Sequence, residues 1–359
     1  MPYFLKLVLL FYALFFSCAN ETLTPPEGMV WVEPKTYLKG AKDGDLNAMM
    51  REKPSHEVYV SGFYIDETEV TNNQFKKFVE ETGYITIAER QINWEEMKKI
   101  VPPGTEKPHD SILQPGSLIF HDKYLELYSE EINSKKKYIH QFTDMNNHMQ
   151  WWQWKIGANW KAPRGPGSNI KNKGNYPVVH IAYEDAQAYC KWANRRLPTE
   201  AEWESAAQGN YSNAIYTWGD NINELNLNAN TFQGTFPIYN KVSDGYKMIA
   251  PVKSYPPNSI GIYDMIGNVW EITDDLFNVN YYKEIDSSKK IIDPKGANSC
   301  YNPNNPYEIQ YVMKGGSFLC HDSYCASYRI SARMGVSIDS GSDHKGFRTI
   351  VTPEMLLNK

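Results

Sequence analysis

The chain of 359 residues has room for one large domain or two small ones, and its 42% apolar and 22% charged residues are ordinary for a protein that buries a core. A net charge of -5 gives no footprint for nucleic-acid binding, which would need a basic face. With 23 glycines and 21 prolines, much of the chain is expected to be turn and loop.

Residues 1–17 form an apolar stretch with one basic residue, Lys6. It is too short for a comfortable membrane span and suits an export signal. Ser17 and Cys18 then resemble a bacterial lipoprotein cleavage site with Cys18 as the lipidated first residue, although Phe15 replaces the usual Leu. An ordinary signal peptide with an incidental cysteine is the alternative. The expected location is the periplasm or cell envelope, with residues 18–27 as a tether and 28–355 as a single domain.

Residues 57–65 are β-rich and partly alternating and read as a strand. Thr71 is the expected N-cap of a helix with Phe75, Phe78 and Val79 on its apolar stripe, ended by Gly83. Residues 91–149 read as a surface excursion with one compact apolar run, Leu118, Ile119 and Phe120. The basic Lys135, Lys136 and Lys137 are expected on a solvated face. The tryptophans Trp151, Trp152, Trp154 and Trp160 are read as core ahead of a ligand platform. Residues 177–181 read as a short strand. A helix from Tyr183 to Asn194 places Ala186, Cys190 and Ala193 on one face, making Cys190 a small buried hydrophobe. Thr199 and Glu202 form a capping box. Cys300 lies in a Pro/Asn-rich loop with no evident partner.

The stretch 230–271 is rich in the oxygen donors that hard cations take, but it has no EF-hand spacing, so turn-forming Asn and Asp are the default reading. Cys320 and Cys325, five positions apart, are soft donors. Two thiolates with nothing else favour a low-coordinate ion, and Cu(I) fits that best, whereas tetrahedral zinc would want two more ligands. As chemistry alone the pair leaves three options open: a disulfide, a Cu(I) site, or a nucleophile with a resolving partner.

The words around the pair narrow this. Gly315-Gly316-Ser317-Phe318-Leu319-Cys320-His321, Ser323-Tyr324-Cys325, Tyr328-Arg329, Ala332-Arg333 and Gly346-Phe347-Arg348 closely resemble the C-terminal signature of the formylglycine-generating enzymes, the sulfatase-modifying factors. Arg196-Leu197-Pro198-Thr199-Glu200-Ala201-Glu202-Trp203-Glu204 and Gly62-Phe63-Tyr64-Ile65-Asp66-Glu67-Thr68-Glu69-Val70-Thr71-Asn72 resemble the same family. The resemblance runs from about 28 to 352. It implies an irregular α+β fold related to C-type lectins, low in regular secondary structure. It also implies oxidation, by O2 and a copper cofactor, of a cysteine in an unfolded stretch of a sulfatase (a Cys-x-Pro-x-Arg type motif) to Cα-formylglycine. By residue-wise match, Cys320 and Cys325 would ligate copper, Ser317 and Trp270 would lie beside the oxygen site, and His321 and Tyr324 would line the cleft. Two structural Ca2+ sites are implied as well. Asn230, Thr231, Asp244 and Tyr246 match the first; Asp264, Met265, Gly267, Val269 and Glu271 match the second. The chain departs from the family in Ile272, where Trp is usual, and in Ile330 and Thr349, which stand where some relatives have disulfide cysteines. A non-enzymatic envelope lipoprotein of the same fold, a scaffold or gliding-motility component, is the competing reading. An iron-dependent sulfoxide synthase of the fold would need a His-rich ligand set that the sequence lacks.

Overall fold

The computed structural model describes residues 24–121 and 150–357. The export signal, Cys18 and Lys135 to Lys137 lie outside the described residues. In chain order the strands are β1 (Met29–Val32), β2 (Lys35–Lys39), β3 (His56–Val60), β4 (Phe63–Asp66), β5 (Gly116–Phe120), β6 (Trp152–Ile156), β7 (Gly234–Thr235), β8 (Tyr239–Asn240), β9 (Trp270–Leu276), β10 (Ile291–Ile292), β11 (Gln310–Lys314), β12 (Met334–Ser337), β13 (Lys345–Gly346) and β14 (Ile350–Val351). They form small sheets ordered β1-β4-β14, β10-β3-β2 and β12-β11-β9-β13, plus the ribbons β5-β6 and β7-β8. The longer helices are α1 (Asn72–Thr82), α2 (Tyr183–Ala193) and α3 (Glu200–Gln208).

Local chemistry explains the helix ends. Thr71 caps α1 by accepting from Gln74 N, and Gly83 closes it in the left-handed region at φ 69°. Asn194 ends α2 the same way at φ 52°. Thr199 and Glu202 make the reciprocal capping box of α3. All nine residues of α3 are buried, so its acids need partners inside the protein. Glu204 Oε1 accepts from Lys314 Nζ at 2.7 Å, and Glu200 Oε1 accepts from Arg333 Nε at 2.8 Å. Lys39 Nζ lies 2.9 Å from Glu200. This network ties α3 to β2 and β11, and so to the turn that follows β11.

Two sequence readings change. The stretch 57–65 is not one strand but β3 and β4, in different sheets, broken at Ser61 and Gly62. A Cβ on Gly62 would come within 2.4 Å of the Trp31 ring, so glycine is needed there. Residues 177–181 form no strand. Val178 N donates to Val70 O, while His180 N donates to Ser342 O, and His180 sits at φ 63°. The backbone therefore divides its bonds between two partners instead of forming a ladder. The apolar run 118–120 becomes β5, paired with β6, and Phe120 is fully buried. Cys190 is buried, and burial pushes its thiol pKa up, so it is inert packing. Cys300 is half-buried; its Sγ accepts from Gln310 N at 3.3 Å and closes its own loop.

Candidate active site

Strand β11 delivers the chain to Gly315 and Gly316, both left-handed at φ 85° and 77°. A Cβ on Gly315 would lie 2.7 Å from Met265 O, and one on Gly316 would lie 2.9 Å from the Ser327 backbone and 3.1 Å from Cys320 Sγ. Only glycine permits both the turn and this approach. The turn is pinned by Gly267 N donating to Gly315 O and Phe318 N donating to Asn268 O, each at 2.9 Å. Cys320 N then donates to Ser317 O, and the amides of Tyr324, Cys325 and Ala326 all donate to His321 O. This folds 317–326 into a compact loop. It brings Cys320 and Cys325 together as a disulfide-paired couple, with Cα atoms 5.6 Å apart and sulfurs in contact. Both are nearly dry, 1% and 8% exposed. Ser317 N donates to Cys320 Sγ at 3.4 Å.

The loop's surroundings are aromatic. Tyr324 stacks on Phe236 at 4.4 Å between centroids and meets Trp151 edge-on at 5.6 Å. Trp152 Nε1 donates to the Tyr324 hydroxyl at 3.3 Å. Trp151 is core, as expected, but Trp152 is half-buried and serves the site. His321 turns back on its own loop, its Nδ1 2.8 Å from the Ser323 hydroxyl. Trp270 opens β9 in the same apolar cluster as the two cysteines, and its N donates to His344 O at 2.8 Å.

His344 was not singled out in the sequence. Its Nδ1 lies 3.2 Å from Ser317 Oγ, and its ring meets Trp152 at 4.7 Å. Burial, then the positive charge of Lys345, lowers its pKa to about 3, so the imidazole is neutral. Nothing in sequence links it to Ser317, 27 positions away; the pairing of both β13 and β11 with β9 does.

The donor set fits a soft, low-coordinate ion. Reduced, the pair becomes two adjacent thiols, which suit Cu(I), and among the described residues no group of three or more His, Cys, Asp and Glu could hold a metal ion. The oxygen-rich region lies directly behind the loop. Asp244 accepts from Thr231 N at 2.9 Å and from Tyr246 N at 3.2 Å, which brings the first expected set together. Asn230 Oδ1 and Thr231 Oγ1 are buried without a hydrogen-bond partner. In the second set, Asp264 accepts from Lys253 N at 2.8 Å, and burial raises its pKa to about 6. Glu271 has both oxygens engaged, by Arg348 at 2.6 and 2.7 Å and by Trp203 Nε1 at 2.7 Å. The free oxygen belongs to Glu69, missed in the sequence. Its Oε2 is buried without a partner, and burial and Asp264 raise its pKa. Asn268 bridges the sets, donating to Glu69 Oε1 at 3.0 Å and accepting from Asn230 Nδ2 at 3.1 Å. Buried acids and orphaned oxygens of this kind fit hard cations. A cavity of about 810 Å3 between α1 and residues 160–175 shares no lining residue with the cysteine loop and contains no cysteine or histidine, so it is not where this chemistry resides.

The family pattern described as sulfatase-modifying factor enzyme 1-like domain matches residues 16–353. The chain is 38% identical over 329 residues to a formylglycine-generating enzyme of Thermomonospora curvata, covering 91% of this chain and 94% of that one. It is 39% identical over 321 residues to a formylglycine-generating enzyme of Mus musculus, covering 89% and 74%. It is also 34% identical over 300 residues to a Bos taurus protein named inactive C-alpha-formylglycine-generating enzyme 2, covering 83% and 79%. PvdO from Pseudomonas aeruginosa shares the fold, with a TM-score of 0.56 over 90% of this chain and 94% of that one at 19% identity. The chain therefore belongs to the sulfatase-modifying factor family and has its irregular α+β fold.

Proposed function

From that membership and the paired thiols, we propose that this protein converts a cysteine of a sulfatase polypeptide to Cα-formylglycine, with copper at Cys320 and Cys325 and O2 as oxidant. The observation that carries the reading is the loop itself: two dry sulfurs held in contact by backbone hydrogen bonds, at the positions where the family signature has them. Copper there would supply the one-electron chemistry with O2 that thiols and hydroxyls lack. The chain's own residues prepare the place. The aromatic wall of Trp152, Tyr324 and Phe236 excludes water beside the pair, the glycine turn lets another backbone approach, and Ser317 presents a hydroxyl. The substrate is bound as an unfolded segment, because a folded one could not bring a backbone to the buried pair. Asn230, Thr231, Asp244 and Tyr246 hold one structural Ca2+. Asp264, Glu69 and the carbonyls of Met265, Gly267 and Val269 hold a second, with Glu271 orienting Arg348 beside it. The apolar leader and Cys18 support export and anchoring in the cell envelope.

The test is mass spectrometry of a Cys-x-Pro-x-Arg peptide incubated with the Cu(I)-loaded protein and O2. Conversion of CH2SH to CHO loses about 18 Da, unlike the mass gains of ordinary thiol oxidation. Wild type is expected to show the loss and Cys320→Ser not to. No conversion and no copper binding would replace this reading with a scaffold of the same fold.

A further inference from the structure

We propose that His344 is a positioning residue for this site: its Nδ1 accepts a hydrogen bond from the Ser317 hydroxyl, so that Ser317 faces the incoming substrate as a hydrogen-bond acceptor. The inference rests on the reading above for its consequence, but not for its geometry. Ser317 Oγ already accepts from Leu319 N at 3.3 Å, and the turn fixes that bond. Its hydroxyl proton then needs an acceptor, and among the described residues the one within reach is His344 Nδ1 at 3.2 Å. With the opposite tautomer, Nδ1–H and Leu319 N would fill both lone pairs of the oxygen and leave the hydroxyl proton without a partner. With Nδ1 accepting, one lone pair of Ser317 remains. It can receive the S–H of a substrate cysteine or a substrate amide.

His344 is itself held from three directions. Its carbonyl accepts from Trp270 N, its ring meets Trp152, and Trp152 is hydrogen-bonded to Tyr324 on the far side of the cysteine loop. The chain Ser317–His344–Trp152–Tyr324 thus links the two ends of the segment that carries both thiols. A proton-relay role is weaker on magnitudes. A ring with a pKa of about 3 is a poor acceptor for a thiol proton, which ordinarily leaves near 8.5. Neutrality suits orientation instead.

Two measurements test this. The first is 15N NMR of the histidine rings in wild type and Ser317→Ala, which needs neither copper nor turnover. The expected result is an unprotonated Nδ1 for His344 whose resonance moves when the hydroxyl is removed. A protonated Nδ1, or a resonance that stays in place, overturns the inference whether or not the wild type converts peptide. The second is turnover alongside Cu(I) affinity by competition with a chromophoric chelator. His344→Ala is expected to lower kcat about tenfold, the scale of one oriented hydrogen bond, with Cu(I) affinity unchanged. His344→Asn, whose Oδ1 can accept in place of Nδ1, is expected to restore most of that loss. In the Ser317→Ala background His344→Ala should cost nothing more. Additive losses, or Asn as poor as Ala, would reduce His344 to packing. An inactive wild type would instead count against the proposed reaction.

Discussion

The cysteine loop and the oxygen-rich region meet at one turn, yet they are built on opposite plans. Residues 317–326 gather two sulfurs with amides and ring edges, within a few positions of sequence. The region behind it gathers Glu69, Asn230, Asp244, Asp264 and Asn268, nearly two hundred positions apart at the extremes, and leaves oxygens without partners. The two are coupled mechanically, since Gly267 N holds Gly315 O and Asn268 O holds Phe318 N. The difference teaches that the soft pair is held by its own chain. The oxygen-rich region, by contrast, keeps buried acids and oxygens without partners, the kind of donor set that hard cations take. In this arrangement the second region serves the first by keeping its turn in place.

If that is right, the two regions fail differently. Cys325→Ser should lower formylglycine formation at least about 1,000-fold, the scale seen when one member of a chemically essential unit is removed, while the Ca2+ dependence of melting stays as in wild type. A variant that keeps activity would break the assignment of the pair. Ca2+ binding to the folded state alone at about 100-fold over its dissociation constant adds roughly 2.7 kcal/mol, or roughly 5 °C in melting temperature. Calorimetry with Ca2+ and with chelator should show that rise in wild type and a smaller one in Glu69→Gln. An undiminished response in the variant would remove Glu69 from the cation set.

Acid sharpens the contrast further. His180 is fully buried, and burial lowers its pKa to about 3. In the unfolded chain it would take a proton below about 6.5. Between those values the unfolded state binds more protons, so stability falls as pH falls. At pH 5 the loss from this one group is about 2 kcal/mol relative to neutral pH, at 1.4 kcal/mol per pH unit. Denaturant unfolding at pH 8 and pH 5 should show a smaller difference for His180→Gln. An identical difference would mean that the ring is protonated in the folded state.

Much of the fold's punctuation was legible along the chain. Thr71, Gly83 and the Thr199–Glu202 box end helices through contacts three or four residues long, and such contacts are visible in sequence. The cysteine loop was legible for the same reason. Glu69 and His344 were not singled out, because their partners, Asn268 and Ser317, come from remote parts of the chain. Trp152 was grouped with core tryptophans, since pattern alone does not say which face of a ribbon meets a site. The break at Gly62 depended on the Trp31 ring, which arrives from another strand.

By itself the sequence determined the close spacing of the two cysteines, their glycine turn, the helix caps and the supply of oxygen donors, since each is set by residues close together in the chain. Tertiary structure alone decided which oxygens are left without partners, that Glu271 is taken up by Arg348 and Trp203, and that a neutral imidazole faces Ser317. Those outcomes depend on burial and on strand pairing across long separations, and a residue's chemistry does not reveal its neighbours until the chain has folded.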